Sequence, residues 1–257
     1  MTLPEIIRAN VSRGVIDENG SALEMTLEPG LTDSEIATFE ERIGFTLPET
    51  TRDLLRFTNG LTGGPLVALD FSSSSDYVGV DEENKFSPRT IGFAADGCGN
   101  HWGYALGPDA TDLGPIFYFC HDAPVFLYQS PDLRHFLVEM FKLGEPSARS
   151  LIREVREDNI KNVWTTNPDL VPVVEARNSP DPVIADFARS LPDDWKLIDL
   201  RKPEIGDGFS WGRCREFKRH DRFAIFGLDF RRPWTLGSWL KELFRFRPAP
   251  PNTHSLQ

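Results

Sequence analysis

Two stretches decide the fold that this sequence predicts: TDSEIATFEERIGFTLPETTRDLLRFTNG at Thr32–Gly60 and FAADGCGNHWGYALGPDATDLGPIFYFCHDAPVFLY at Phe93–Tyr128. The first stretch has the pattern of two short amphipathic helices joined by a Gly-Phe-Thr-Leu-Pro linker and closed by Asn59-Gly60. The second has the pattern of antiparallel strands joined by tight glycine turns. Together they predict an α+β fold in which helices pack on a small antiparallel sheet.

The first helix has clear start and stop signals. Thr32 and Glu35 form a capping-box pattern, in which the Thr side chain accepts from a backbone amide and the Glu side chain reaches back. Gly44 is a typical C-terminal stop. Thr46 and Glu49 repeat the capping-box pattern around Pro48 and predict the start of the second helix. The apolar faces of the two predicted helices are Ile36, Phe39, Ile43, Leu54, Leu55 and Phe57.

The remainder of the first half predicts a meander of strands and one further helix. Asp96–Asn100 is a turn, because Gly supplies positive φ and Asp and Asn tolerate it. After Ser130-Pro-Asp132, apolar residues at helical spacing predict a closing helix. The predicted strands are Pro65–Phe71, Thr90–Ala94, His101–Leu106, Pro115–Cys120 and Val125–Tyr128.

A change in charge divides the chain. Residues 1–145 carry 9 Lys and Arg against 23 Asp and Glu, a net charge of −14, whereas residues 146–257 carry 19 against 16, a net charge of +3. Gly144 and Pro146 are helix stop signals at this point. We therefore predict a first domain at 1–145, a smaller C-terminal α+β domain at 146–246 and a disordered tail at 247–257. The elements predicted in the second domain are helices at Ala148–Trp164, Pro182–Leu191 and Thr235–Phe246 and strands at Trp195–Leu200 and Arg222–Leu228.

Composition restricts the class of protein. The 257 residues are 40% apolar and 26% charged, which is typical of a folded globular chain. Neither a secretory signal nor an apolar run of about 18 residues is visible, so a cytoplasmic location without membrane contact is expected. A net charge of −11 argues against nucleic-acid binding. Three cysteines do not suggest a disulfide framework.

Several residue patterns could indicate catalysis or metal binding. Cys98, His101, Cys120 and His121 contain possible zinc ligands, and Cys120-His121 is a possible nucleophile and base. Adjacent residues of a strand point to opposite faces, which is poor geometry for either role. Gly97–Gly103 resembles a dinucleotide fingerprint only superficially, because its third glycine is misplaced. We therefore expect no catalytic residue, no metal and no cofactor.

Charged and aromatic residues mark two candidate surfaces. Carboxylates cluster at Asp70, Asp76, Asp81, Glu82 and Glu83, where a solvated acidic loop is favoured over a cation site because calcium-loop spacing is absent. With the turn residues Asp96, His101 and Trp102, they form the predicted partner-binding set. In the second half, a basic run interleaved with aromatics suggests an anion site, an intramolecular contact or a solvated face: Arg213, Arg215, Lys218, Arg219, Arg222, Arg231 and Arg232.

The ordered motifs of the first half resemble the SUKH superfamily, and within it the Smi/Knr-like proteins. The resemblance rests on Thr32–Glu40, Gly44-x-x-Leu47-Pro48, Asn59-Gly60, Phe93–Asn100, and Ile116–Tyr118 leading to His121-Asp122. It covers roughly residues 25–145 and implies helices packed against a curved antiparallel sheet. It also implies that Leu47, Pro48, Asn59, Gly60, Gly97, Gly99 and Asn100 are architectural.

The resemblance also implies a class of function. Many bacterial members look like immunity proteins that neutralise polymorphic toxins, and eukaryotic relatives are linked to cell-wall signalling as scaffolds. The expectation is a non-enzymatic protein-binding module whose partner is a basic toxin domain. The alternatives are a cell-wall-related regulatory scaffold, or a small-ligand binder or enzyme that uses the Gly206–Gly212 loop and Arg213.

Overall fold

The structure is a computed structural model that describes residues 1–17, 20–72, 90–105, 114–145, 147–221 and 224–230. The described strands are antiparallel to their neighbours in every pairing. Among these residues, no helix combines the length and the apolarity that a membrane crossing requires.

An eight-stranded sheet forms the centre of the molecule. Its spatial order is β12-β9-β8-β7-β6-β5-β4-β3, so consecutive strands lie side by side and the late strand β12 joins one edge. The strands are β3 (Thr26–Leu27), β4 (Gly60–Thr62), β5 (Ala68–Asp70), β6 (Thr90–Ala95), β7 (His101–Ala105), β8 (Ile116–Cys120), β9 (Val125–Ser130) and β12 (Gly208–Phe209). A separate hairpin pairs β1 (Val15–Ile16) with β2 (Ala22–Leu23).

Helices cover one face of this sheet. They are α1 (Leu3–Arg13), α2 (Asp33–Ile43), α3 (Glu49–Phe57), α4 (Leu133–Lys142), α5 (Leu151–Glu154) and α6 (Ile160–Thr166). A π-helical turn, Val155–Asn159, separates α5 from α6. The capping boxes of α1 and α2 are complete, since Thr2 and Thr32 each accept from the third helical amide and Glu5 and Glu35 bond back.

A four-stranded sheet in the order β10-β11-β14-β13 packs on the opposite face. Its strands are β10 (Val171–Pro172), β11 (Lys196–Asp199), β13 (Cys214–Arg219) and β14 (Ile225–Phe230). Its outer face is covered by α7 (Val173–Ala176) and α8 (Pro182–Arg189). The described part of the molecule is therefore built of four layers: helices, large sheet, small sheet and helices.

Strand alternation explains how the central sheet is buried on both faces. In β8, Ile116 and Tyr118 belong to the core under the helices, whereas Phe117 and Phe119 belong to the core between the sheets. This is the period-2 alternation of a strand, with apolar residues on each face. The core between the sheets also contains Phe126, Tyr128, Ile198, Leu200, Phe209, Phe226 and Leu228.

Most predicted elements of the first half are present, with one correction. The predicted capping box at Thr46 is wrong, because α3 begins at Glu49, has Pro48 at its N-cap and has no side-chain cap bond. In the second half, the helix predicted over Ala148–Trp164 is present as α5 and α6, with the π-helical turn between them. Helix α1 and strand β12 were not predicted.

The predicted domain boundary at residue 145 does not coincide with a division between hydrophobic cores. Ile152, Val155 and Val163, which follow that boundary, are buried in the core of the first half. Strand β12 pairs with β9, with Phe209 opposite Phe126. Gly144 does lie beyond the end of α4, but the next helix returns to the same core. The predicted tail at 247–257 and the predicted helix at Thr235–Phe246 lie outside the described residues.

Candidate functional site

Asp70 ends β5 and is buried, with 8% of its surface exposed. Its Oδ1 accepts from Asn59 Nδ2 at 3.2 Å, from the backbone amide of Ser72 at 3.2 Å and from the Ser72 hydroxyl at 3.3 Å. Arg42 donates to the carbonyl oxygen of Ser72. Asp70 therefore fixes the point at which the chain leaves the sheet.

Asp96 organises the turn between β6 and β7. Its Oδ1 accepts from the amides of Cys98 at 2.9 Å and Asn100 at 3.2 Å, and its Oδ2 accepts from Asn100 Nδ2 at 2.9 Å. Asn100 Oδ1 in turn accepts from the amide of His121. The side chain of Asp96 is only 3% exposed, so this carboxylate shapes the turn and presents little surface to a partner.

The aromatic part of the predicted site requires a correction. Trp102 is completely buried, and its Nε1 donates to Gln129 Oε1 at 3.1 Å. It points into the helix-covered core because Trp102 lies opposite Tyr118 in the register of β7 and β8. It therefore cannot serve as an exposed anchor. His101 lies on the other face, partly buried, with its ring stacked on Phe119.

The other predicted partner-binding residues, Asp76, Asp81, Glu82 and Glu83, lie outside the described residues. They follow Ser72 in the sequence. Their role in binding a partner stays a prediction.

A groove of about 590 Å³ lies beside Asp70, where the chain leaves the large sheet. We call it the acidic groove. Its apolar surface comes from Pro29, Leu31 and Val67, and its charged groups are Glu28, Glu35 and Asp70. No Lys or Arg is found among the described residues that line it. The groove therefore combines an apolar lining with negative charge, and sequence reasoning had identified only Asp70 of these three carboxylates.

Carboxylates also predominate on the helices next to the acidic groove. Arg56 of α3 pairs with Asp33 at 2.8 Å, Glu49 at 2.6 Å and Asp53 at 3.1 Å. One cation is thus shared among three anions. At the groove itself, hydrogen bonds from the Thr32 backbone and side chain hold the pKa of Glu35 below its ordinary value. Glu35 therefore remains ionised at neutral pH.

The hairpin between β4 and β5 contacts both the acidic groove, which Val67 and Ala68 line, and the Asp96 turn. Ala68 pairs with Ala95, which places Val67 beside the start of that turn. Val67 is 54% exposed, and a Cβ added to Gly97 would lie 2.9 Å from its Cγ2. The structure therefore brings the two surfaces predicted from sequence, near Asp70 and near Asp96, together around one exposed aliphatic side chain.

Arg156 contributes to this region from the C-terminal half. It lies in the π-helical turn, and its Nη2 is 3.3 Å from Asp96 Oδ2. Arg153, Arg156 and Asp96 line a polar cavity of about 350 Å³, together with Gly64 and Pro65 of the hairpin. Sequence reasoning missed Arg156, because an isolated arginine in a helical pattern gives no signal of a contact with residue 96. π-Helical turns are rare and often occur at functional sites.

The residues weighed as catalytic or metal ligands have ordinary surroundings. Cys98 is exposed, Cys120 is buried in the helix-covered core and His121 is exposed. Burial raises the pKa of the Cys120 thiol, which keeps it protonated at neutral pH. In the part of the chain that the structure describes, no three His, Cys, Asp or Glu side chains gather as metal ligands.

The Gly206–Gly212 loop, considered above as a ligand site, has a structural role in the sheet. Its residues Gly208 and Phe209 form β12 and are buried. A Cβ at Gly208 would lie 1.9 Å from the carbonyl oxygen of Phe126, so only glycine permits this approach. The neighbouring Arg213 donates to the backbone carbonyl oxygens of Trp164 and Thr165.

Comparison with known proteins gives one match. Residues 30–139 match the family model described as SMI1 / KNR4 family (SUKH-1). The matched range begins just before α2, includes β4 to β9 and ends within α4. No curated protein and no solved structure matches the chain. The match confirms the resemblance inferred from the motifs and the α+β fold that it implies.

Proposed function

We propose that this chain, whose residues 30–139 form a domain of the SMI1/KNR4 (SUKH-1) family, is a non-enzymatic protein-binding module. Its partner is a basic toxin domain, which it neutralises by binding and covering the toxin's active surface. The acidic groove supports this proposal most directly. It offers an apolar lining together with Glu28, Glu35 and Asp70, a combination suited to a Lys- or Arg-bearing segment.

The charge distribution supports the same proposal at longer range. The net charge of −14 on residues 1–145 attracts a basic partner and accelerates its encounter with the groove. Contacts within the groove then determine how long the complex lasts. Val67 at the hairpin supplies an exposed aliphatic contact beside the charged groups.

Glu28 is a suitable residue with which to test the role of negative charge in the acidic groove. This residue is half-buried, and Thr58 bonds to its backbone carbonyl oxygen, so a change of its side chain leaves that hydrogen bond in place. Glu35 is less suitable because it also caps α2. Glu216, exposed on β13 of the small sheet, provides a matched control for the same change of charge.

A growth experiment tests the proposal. The protein encoded beside this gene is expressed in a host with the wild-type chain, Glu28→Lys or Glu216→Lys. We expect wild type and Glu216→Lys to restore growth and Glu28→Lys to restore it poorly. A neighbouring protein that is harmless and forms no complex with the chain would contradict the proposal.

A cell-wall-related regulatory scaffold is the second candidate. It is favoured by the small sheet, which lies outside the family match and adds a surface of its own. A neighbouring gene for a cell-wall enzyme, together with a complex that forms without any effect on toxicity, would support this alternative.

A further inference from the structure

A second groove, of about 340 Å³, lies on the small sheet and its outer helices. We call it the small-sheet groove. Its residues include Asp169, Val171, Glu175, Ile184, Leu197 and Asp207, none of which falls within residues 30–139. Val171, Ile184 and Leu197 give it an apolar floor.

Exposed aliphatic side chains occur in this groove and close in sequence to residues that line it. Val171 is 42% exposed, Val174 is 46% exposed and Ile205 is 37% exposed. Val174 adjoins Glu175 in α7, and Ile205 lies two residues before Asp207. Isolated exposed apolar residues are ordinary, but a group of them beside a groove is typical of a surface that a partner covers.

The charged groups of the small-sheet groove are all of one sign. Asp169, Glu175, Asp199 and Asp207 line it, and the described lining contains neither Lys nor Arg. Arg201 neutralises Asp199 at 2.7 Å and also bonds to Asp181. The other three carboxylates lie at positions from which they can meet a cation.

Burial and neighbouring negative charges both disfavour the ionised form of Asp169. Burial, together with the nearby charges of Asp207 and Glu204, raises the pKa of Asp169 above its ordinary value. A bound cation reduces this repulsion, so the groove and a basic ligand are complementary in charge.

We propose that the small-sheet groove is a second docking surface, for a partner-protein segment in which lysines alternate with aliphatic residues. The aliphatic side chains cover Val171 and Val174, and the ammonium groups meet Asp169, Glu175 and Asp207. Docking occurs through side chains, since Pro172 of edge strand β10 lacks the N–H that strand addition would require. The proposal is independent of the acidic groove.

Three blocked peptides test the proposal with the full chain. The first is acetyl-Val-Lys-Val-Lys-Val-amide, the second replaces both lysines by Gln, and the third replaces the three valines by Gly. Affinity is measured by isothermal titration, and the site is located by NMR shifts of the Val171 and Val174 methyl groups. We expect the first peptide to bind about fivefold or more tightly than either analogue, since it alone provides both chemistries.

Variants of the chain complete the test. Glu175→Gln, at an exposed position of α7, is expected to weaken binding of the lysine peptide about threefold, whereas Glu216→Gln on β13 leaves it unchanged. Equal binding of the lysine and Gln peptides, or shifts confined to residues of the acidic groove, would overturn the proposal. A dimer of the chain that Val174→Glu dissociates would also overturn it, because the groove would then bind a second copy.

Discussion

Asp96 was predicted to bind a partner because of its charge, and in the structure its side chain holds the turn between β6 and β7 together. A carboxylate between two apolar stretches suggests an exposed acid, yet its side chain is 3% exposed and bonds to the turn that it begins. The Asp-Gly-x-Gly-Asn pattern correctly predicted the turn, because glycine permits the positive φ seen at Gly97 and Gly99. The pattern did not predict that Arg156 pairs with Asp96, because contacts between residues distant in sequence leave no local pattern.

Arg156 gives the first prediction at this scale. Replacing Arg156 by Ala leaves Asp96 nearly buried without its cation and is expected to cost about 1–2 kcal/mol of unfolding free energy. Amide exchange at Cys98 and Asn100, whose hydrogen bonds end on Asp96, should accelerate. Urea unfolding and hydrogen exchange by NMR measure the two effects.

Arg153→Ala is the control for that prediction. Arg153 pairs with Glu157 at 3.8 Å, with both side chains substantially exposed, so its loss should change stability by less than about 0.5 kcal/mol. Unchanged exchange at Cys98 and Asn100 in Arg156→Ala would show that the turn does not depend on the arginine.

The complete burial of Trp102 could not be predicted from the sequence. Alternation along β7 indicates that Trp102 and His101 face opposite sides. It does not indicate that both sides of the sheet are covered. The second cover comes from the small sheet, whose strands β11 and β14 were predicted but whose packing against the large sheet leaves no local pattern in the sequence.

At the scale of single elements, α2 was predicted most completely. Thr32, Glu35 and Gly44 have the roles that their pattern indicated: N-cap, capping partner and left-handed C-cap. Thr46, Pro48 and Glu49 gave the same pattern, but Glu49 pairs with Arg56 instead of bonding back to a cap. The competing ion pair lies within α3 itself, and Arg56, seven residues after Glu49, is outside the four-residue capping-box pattern.

The cap of α2 predicts a loss of stability on substitution. Thr32→Ala removes the acceptor for the Glu35 amide and is expected to cost about 1 kcal/mol, measured by urea unfolding. Thr38→Ala on the same helix is the control. It removes only a bond to the Ser34 carbonyl oxygen and introduces a better helix former, so little or no loss is expected. Equal losses in the two variants would contradict a capping role.

Glu35 gives a pH-dependent prediction for the same element. Its folded pKa lies below the ordinary value of 4.5 because Thr32 donates to it. The stabilisation is therefore fully present above about pH 4.5 and is lost as pH falls through the folded pKa. The stability difference between wild type and Glu35→Gln, from urea unfolding at several pH values, should diminish as pH falls below 4.5.

Glu41→Gln is the matched control, since it changes an exposed carboxyl of the same helix outside the cap. Its stability difference from wild type should show much weaker pH dependence. A difference for Glu35→Gln that stays constant across this range would contradict the capping-box account.

At the scale of the whole molecule, the α+β class and the order of the meander were correctly predicted, whereas the way the two halves join was not. Gly144 follows the end of α4, and a helix stop signal in the sequence is the same whether or not a domain ends there. Ile152, Val155 and Val163 have helical spacing, but spacing does not indicate which core they enter. Phe209 lay in a segment whose glycines suggested a loop.

The shared core predicts that residues 1–145 do not fold alone. Removing residues 146–257 deletes Ile152, Val155 and Val163 from the helix-covered core. The loss of each buried side chain lowers the free energy of unfolding by about 2–5 kcal/mol. The total is comparable with the usual stability of a domain, about 5–15 kcal/mol. We expect no cooperative thermal transition in circular dichroism of the 1–145 fragment.

A nicked full-length chain is the control for truncation. Cleavage at an engineered protease site between residues 146 and 150 keeps every core residue, so the two pieces should stay associated and melt cooperatively. A 1–145 fragment that melts at the temperature of the intact protein would show that the core is divided after all.

The most direct test of the central claim is the affinity for the protein encoded by the adjacent gene. It is measured at about 0.1 M and about 1 M salt, between which the screening length falls from about 10 to about 3 Å. We predict a complex that weakens with added salt and with Glu28→Lys, while Glu216→Lys matches wild type. A complex with the same Kd at both salt concentrations and in all three proteins would contradict recognition through the acidic groove.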